Sequence, residues 1–347
     1  MFDTVIVVDH GVTAVRVIRT CQRLDIQTIA VHGDEDGRSP HVRQADDAVP
    51  LGGRTTAVTY GDARKLLEAA QRCGAQAVHP GAGALATDAA FAGAVVEAGL
   101  IWLGAPTDRP AAARSVEAPV AGPRTVVTVL HDGAAARAIG RRSRLGAVVD
   151  EEPDPTLDAG AAAAVDEAVV GFLAGAPAGA YAVEVVRGPD GPVATGVLPL
   201  AAAGAAATAA VTGTDALEVQ LRAAAGERVE DGAGPRVPVA VSLNVRVPEQ
   251  FGGRLRRFRL PGGDGVLAEC GVSEGGRLSA HTGRLLAVVT ATGPDRGTVL
   301  DRARAALAAF EVAGVPTNLP LLRSVLDDPS FVAGAPDDEL RERTRRA

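Results

Sequence analysis

The sequence predicts an α/β unit followed by an α+β unit: an N-terminal doubly wound parallel sheet, then antiparallel strands in a meander with helices. Three observations predict it. Residues 4–8 (TVIVV) are a continuous β-branched run without polar alternation, which suits a strand covered on both faces. Strand-patterned and helix-patterned segments then alternate as far as residue 104, joined by short Gly-rich connections. Beyond residue 123 the alternation gives way to hairpin signals, Asp132-Gly133 and Pro189-Asp190-Gly191, each flanked by apolar runs.

The first unit covers residues 1–105. After Gly11, the apolar residues Val12, Val15, Ile18, Cys21 and Leu24 recur at helical spacing. Residues 27–33 and 47–51 read as strands, and 60–74 as a helix closed by Gly74. Residues 75–80 form a strand ended by Pro80, 87–100 a helix with Thr87 as N-cap, and 100–106 a last short strand. Residues 106–122 are Pro/Ala-rich, lack periodicity and read as a linker.

A second segment, 123–230, holds a hairpin from 124, an Ala-rich amphipathic helix over 156–174 and a second hairpin over 181–200. A low-complexity run (201–213) and a helix (214–229) complete it. A third, 231–335, holds an alternating strand (237–247), strands in RLRRFRL, GVLAE and 283–291, and helices over 297–313 and 318–327. Residues 336–347 read as a charged tail.

With 47% hydrophobic and 22% charged residues, the 347-residue chain can bury one large or two medium cores, so disorder is excluded as its main state. Net charge is −7 and aromatics are 3%, which argues against a nucleic-acid partner, since that needs basic stripes and stacking rings. No apolar run reaches the roughly 18 residues of a membrane span, and the opening MFDTVIVVDHG has no basic n-region. The expectation is a cytoplasmic protein without membrane contact. Lys65 is the only lysine, so no mechanism can call on a lysine elsewhere. Cys21, Cys73 and Cys270 are far apart and in apolar settings, which predicts inert thiols rather than zinc or a disulfide framework.

Few residues carry chemistry on their own. GAGALA (81–86) follows a strand and precedes a helix; its backbone could face an anion, or it could be a tight connection. His79 stands at the carboxyl end of a strand, where open α/β sheets bind ligands, but reads first as a structural histidine bonded to loop backbone. Glu184 lies in the apolar strand YAVEVV. Facing inward it needs a partner or a metal; facing outward it is solvated. Asp9-His10 has no G-x-S-x-G serine to serve and reads as a turn. Alternation splits Arg254, Arg256, Arg257 and Arg259 across two strand faces, as at a solvated edge. Asp150, Glu151 and Glu152 form an acidic turn with no metal-ligand spacing nearby.

Taken together, several segments resemble the biotin carboxylase subunit of biotin-dependent acyl-CoA carboxylases, an ATP-grasp family. The opening through the H-V-x-x-A-D segment His41 to Asp46 is similar to the family's first strand–helix–strand. AVHPGAGALATDAAFA resembles its A-x-H-P-G-Y-G-F-L-S-E-N-x-x-F-A, and WLGAP its F-I-G-P. PRTVVTVLHDG, VVDEEPDP and ALEVQLRAAAGE resemble pieces of the ATP-grasp core. RFRLPGGDGV, GRLLAVV and GVPTNLPLLRSVLDDPSFVAG resemble the C-terminal domain. The likeness implies a biotin carboxylase N-terminal-like domain, a truncated ATP-grasp core and a biotin carboxylase-like C-terminal β domain.

It also implies what is missing. The family's Gly-rich lid belongs between residues 110 and 123, where only PAAARSVEAPVAG stands. One metal-binding Glu falls on Gly196, the strand's Asn and Arg on Leu198 and Leu200, and the base-like Glu on Gly204; the other metal-binding Glu is kept as Glu184. The Q-x-x-H-x-K motif meets RRSRLGAV, and the biotin-side Arg meets Ser242. Phosphoryl transfer depends on positioning and charge neutralisation, so these losses predict no catalytic residues and no cofactor. The alternative is residual ATP- and Mg²⁺-dependent ligase activity, with Glu184 on the metal and His79, Gly81 and Gly83 on the phosphate side. A small-ligand sensor using the open cleft is a third reading. Arg16 and Arg19 stand at positions the family uses in its dimer interface, although Asp264 replaces a family aromatic there. The expected role is a scaffold or regulatory subunit that pairs with itself or with an active biotin carboxylase.

Overall fold

In the computed structural model, residues 2–106, 122–202, 204–249, 251–278 and 283–346 are described; residues 107–121 of the expected linker lie outside them. The first module runs β1 (Thr4–Val7), α1 (Gly11–Arg23), β2 (Gln27–His32), α2 (Pro40–Gln44), β3 (Asp47–Pro50), α3 (Ala63–Arg72), β4 (Ala77–His79), α4 (Ala89–Glu97) and β5 (Ile101–Trp102). Its strands pair in parallel in the order β3-β2-β1-β4-β5. Val5, Ile6 and Val7 are fully buried because helices cover both faces of the central strand, as the unbroken apolar run demands. α4 starts two residues later than expected. Asp88, not Thr87, is its N-cap, accepting the Phe91 N–H at 2.8 Å.

The rest of the chain builds one antiparallel sheet. Its strands are β6 (Arg124–His131), β7 (Ala136–Leu145), β8 (Val149–Glu152), β9 (Gly179–Gly188), β10 (Gly191–Leu198), β11 (Val239–Arg246), then β14 (Val266–Cys270) and β16 (Leu285–Gly293), with two short pairs interposed: β12 (Gly253–Arg254) with β15 (Arg277–Leu278), and β13 (Arg257–Arg259) with β17 (Glu311–Ala313). The order is β10-β9-β6-β7-β8-β11-β16-β14, continuous from the second segment into the third through the β8–β11 pairing. Packed around it are α5 (Ala159–Phe172), α6 (Ala205–Thr212), α7 (Ala216–Ala224), α8 (Arg296–Ala309), α9 (Leu319–Asp327), α10 (Pro329–Val332) and α11 (Asp338–Arg345).

Four segments differ from their sequence patterns. The low-complexity run contains α6, for alanine is the strongest helix former and Ala206, Ala207 and Thr208 are buried. RLRRFRL is two strands rather than one. Leu255 N–H bonds Gly276 and Arg256 N–H bonds Ala313, so the chain passes from one short pair to the other there. The helix expected over 297–313 ends at Ala309, and 311–313 pairs with β13 instead. Residues 338–345 of the expected tail form α11, capped by Asp337 and seated by Leu340.

Candidate functional site

Glu184 lies inward on β9, 2% exposed. Alternation left its face open; register decides what it meets. Val126 of β6 stands opposite Glu184, and Arg124 stands directly opposite Arg144 on β7. Two like charges facing each other across strands repel, and Glu184 lies where both can reach it. Arg124 donates to Glu184 Oε2, Arg144 Nη1 reaches Oε1 at 3.5 Å, and the Thr195 hydroxyl adds a contact at 3.4 Å. Both carboxylate oxygens are therefore taken by guanidinium groups. Arg246 lies in the same cationic neighbourhood: burial, then the like charges of Arg284 and Arg144, lower its pKa to about 10.

The other inward carboxylates are partnered in the same way. Asp150 takes Arg142 Nε at 3.3 Å and Asn244 Nδ2 at 3.3 Å; Glu152 takes the Thr208 hydroxyl at 2.6 Å; Glu151 takes two bonds from Arg296; Asp154 takes the Thr125 hydroxyl at 2.7 Å and lies 3.5 Å from Arg187. Burial raises the pKa of Glu151 and Glu152, and their partners offset part of that rise. So the expected acidic turn is a buried, internally neutralised network. Among the described residues no three His, Cys, Asp or Glu side chains gather as a metal set. A magnesium ion does not fit Glu184 as it is held, since its donor oxygens already face two fixed positive charges.

At Gly204 the space for a longer side chain is filled as well. A β-carbon there would stand 2.6 Å from Asp150 Cγ and 2.8 Å from Arg142 Nε, on a backbone with φ of +90°. The space that a base-like carboxylate would use is occupied by an arginine–aspartate pair.

His79, Gly81 and Gly83 do come together, around Asp9. The Asp9 carboxylate accepts the N–H groups of Ala82 at 2.8 Å and His10 at 2.7 Å. Gly81 has φ of +69°, and a β-carbon on it would overlap Asp9. The backbone donor that GAGALA could offer a phosphate is thus used by an internal anion. His79 Nδ1 accepts from Gly81 N–H at 3.0 Å; Nε2 is buried near Gln220, outside hydrogen-bond geometry. Burial lowers the His79 pKa to about 4, so the ring is neutral. No hydrogen bond or ion pair among the described residues joins this cluster to Glu184.

Arg16 and Arg19 share α1 but not an environment. Arg16 is buried, 3.8 Å from Glu269 of β14, and ties the first module to the large sheet. Arg19 is exposed, with Nε on Gln44 Oε1 at 2.9 Å. Arg257 and Arg259 pair with Glu311 on a solvated edge, as their alternation implies. All three cysteines are free; Cys21 is buried, which pushes its thiol up to about 12. What the sequence reading missed are the arginines. Arg142 and Arg144 share one face of β7 while Arg141 points to the other, onto Asp166 of α5. Alternation in RRSRL predicts that split but not the partners.

Known proteins share both ends of this chain. Residues 1–109 match the biotin carboxylase N-terminal domain, and residues 246–340 match the biotin carboxylase C-terminal domain. The chain belongs to the biotin carboxylase family. It is 29% identical to the biotin-dependent acyl-coenzyme A carboxylase alpha3 subunit of Mycobacterium leprae, over 94% of this chain and 71% of that one. It is 26% identical to a biotin carboxylase of Halalkalibacterium halodurans, over 96% of each. The first alignment runs over 428 positions, more than the 347 residues here, so that relative carries residues this biotin carboxylase-like chain lacks. The biotin carboxylase domain of a single-chain bacterial carboxylase has the same fold, with a TM-score of 0.85 at 27% identity and coverage of 98% of this chain and 97% of that one. The fold is also that of the corresponding domain of Hydrogenobacter thermophilus 2-oxoglutarate carboxylase, solved with MgADP, ADP and bicarbonate (TM-score 0.87, 22% identity, 99% and 98% coverage). The shared fold is a parallel N-terminal sheet joined to an antiparallel sheet, in a chain shorter than full biotin carboxylase domains. Among the described residues no helix is long and apolar enough to cross a membrane.

Proposed function

We propose that this biotin carboxylase-like chain does not carry out ATP-dependent carboxylation, and that it is a scaffold or regulatory subunit of an acyl-CoA carboxylase, pairing with itself or with an active biotin carboxylase. The observation that supports this is the arginine-bound Glu184. ATP chemistry needs cations placed on the phosphates and carboxylates free to hold them there. Here the kept carboxylate is neutralised from within. In this reading no ATP or Mg²⁺ is required, and His79, Gly81, Gly83 and Glu184 hold the fold rather than a ligand.

The surface around α1 and β14 is the proposed partner face. β14 is an edge strand of the large sheet, Leu267 on it is 54% exposed, and Arg19 is exposed on the neighbouring helix.

The test is bicarbonate- and biotin-dependent ATP hydrolysis by the purified chain beside its Glu184→Ala variant, with co-purification against biotin carboxylase and carboxyltransferase subunits. Expected are equal background turnover in both proteins and a stable complex. Bicarbonate- and biotin-dependent turnover by the wild type that Glu184→Ala abolishes, with the variant shown by circular dichroism to be folded at the assay temperature, would establish an active ligase instead. A monomer that binds no carboxylase subunit would sink the scaffold role.

A further inference from the structure

Between the first module and the segment that follows β14 lies a cavity of about 320 Å³, at the small end of the range for small-molecule sites. One wall is residues 35–43 with the start of α1; the other is residues 271–278. Arg43 reaches across and donates to the Ser273 hydroxyl at 2.6 Å, which fastens the walls together.

Two buried side chains of the first wall each keep one polar atom without a partner. Asp36 is 8% exposed. Its Oδ2 accepts from the Tyr60 hydroxyl, its Oδ1 is buried with no hydrogen bond, and among the described residues it has no ion pair. His41 is 1% exposed. Its Nε2 lies 3.3 Å from the Val31 carbonyl and 3.4 Å from the Tyr60 hydroxyl, while Nδ1, facing away from Val31, is buried without a partner. Tyr60 gives its proton to Asp36, so the bond to Val31 puts the histidine proton on Nε2 and leaves Nδ1 as a bare acceptor. Burial, then the charges of His10 and His32, lower the His41 pKa to about 3, so the ring is neutral.

Both orphans are therefore acceptors, one of them anionic, and both side chains meet at the Tyr60 hydroxyl. A buried carboxylate is costly until a donor or a cation reaches it. A metal ion is a poor match, for among the described residues no three His, Cys, Asp or Glu side chains gather to hold one. A primary ammonium suits the pair, because it brings N–H donors and a positive charge together. The exposed lining has the opposite character. No hydrogen bond or ion pair among the described residues engages Arg38 or Arg277, whereas Glu35 is taken by Arg54 and Glu274 by the Phe258 N–H. A ligand with only positive charge would meet these guanidinium groups, and one with only negative charge would meet Asp36.

We propose that this cavity binds a small zwitterion, a compact amino acid, with its ammonium group held inward by Asp36 and His41 and its carboxylate turned outward to Arg38 and Arg277. The site is independent of the Glu184 network and of whether the chain hydrolyses ATP. Because its walls come from distant parts of the chain, occupancy fastens the first module to the C-terminal part of the sheet.

Calorimetric titration of the full chain with L-alanine, β-alanine, ethylammonium and propionate, at ionic strength matched by sodium chloride, tests this. Saturable binding of one equivalent is expected for at least one of the two amino acids, weaker binding for ethylammonium and none for propionate. Asp36→Asn keeps the shape of the side chain and removes its charge; it should weaken amino-acid binding by about tenfold or more. The Arg38→Ala/Arg277→Ala double variant changes only exposed side chains and should melt as the wild type does. It should lose affinity for the amino acid yet bind ethylammonium unchanged, a split that tests the proposal even where Asp36→Asn does not fold. No saturation by either amino acid at millimolar concentration, as when water alone fills the cavity, would overturn the proposal. So would propionate binding as tightly as the amino acids, or a folded Asp36→Asn variant that binds them as the wild type does.

Discussion

Arg296, at the start of α8, grips Glu151 of β8 with two hydrogen bonds, 2.5 and 3.1 Å long. The same guanidinium donates to the Phe331 and Val332 carbonyls at 2.6 Å and lies 5.1 Å from the Phe331 ring. One side chain thereby fastens the sheet to α8 and to α10. Its removal strands a carboxylate that is 1% exposed. Arg296→Ala should cost about 3–5 kcal/mol, the usual penalty for breaking a buried pair from one side. The midpoint of urea unfolding reads this directly; a change within experimental error would show that Glu151 is solvated.

Glu184 gives a prediction of opposite meaning to that of a metal ligand. Glu184→Ala leaves Arg124 and Arg144 facing each other with no anion between them, so the folded state should lose roughly 3 kcal/mol or more. Magnesium should not raise the melting temperature of the wild type. A magnesium-dependent stabilisation that disappears in the variant would contradict the arrangement.

Gly204→Glu restores the carboxylate that the family resemblance implies at this position, and it should fail as a rescue. The backbone is left-handed, which costs an L-residue about 1–2 kcal/mol, and the β-carbon collides with Asp150 and Arg142. Denaturation is expected to show a less stable protein, with no gain in ATP turnover. A variant as stable as the wild type would show that the pair yields easily.

Two buried histidines set an acid response. His41 is lowered to about 3 and His79 to about 4, in both cases first by burial, against about 6.5 in an unfolded chain. A depressed folded-state pKa contributes stability that is complete above the unfolded value and lost as pH falls toward the folded one. His79 alone accounts for roughly 3 kcal/mol between pH 6.5 and about 4. Unfolding midpoints measured from pH 7.5 to 5 should fall, and the slope should flatten in His79→Gln. A midpoint that holds steady over that range would show that these rings are hydrated.

The architecture was largely legible because it rests on patterns that act locally. The β-branched run at 4–8, the Asp132-Gly133 turn and the helical spacing after Gly11 each report their own backbone. The site was less so. Whether Glu184 points inward is a matter of alternation, but its arginine partners depend on strand register. That register contains an irregularity between Thr128 and Val129 that no residue pattern announces. α6 was hidden for another reason: a run of alanines has the propensity of a helix but no polar face to reveal its period.

The pairing of Ala240 with Glu152 has a practical outcome. A fragment ending near residue 230 would expose the β8 backbone as a raw edge ready to stick to other chains, and would part Glu151 from the arginine that shields it. The two ends of this polypeptide match separate domain models, yet the sheet runs unbroken between them, so a cut at that join would leave a bare strand edge on each side rather than two finished modules.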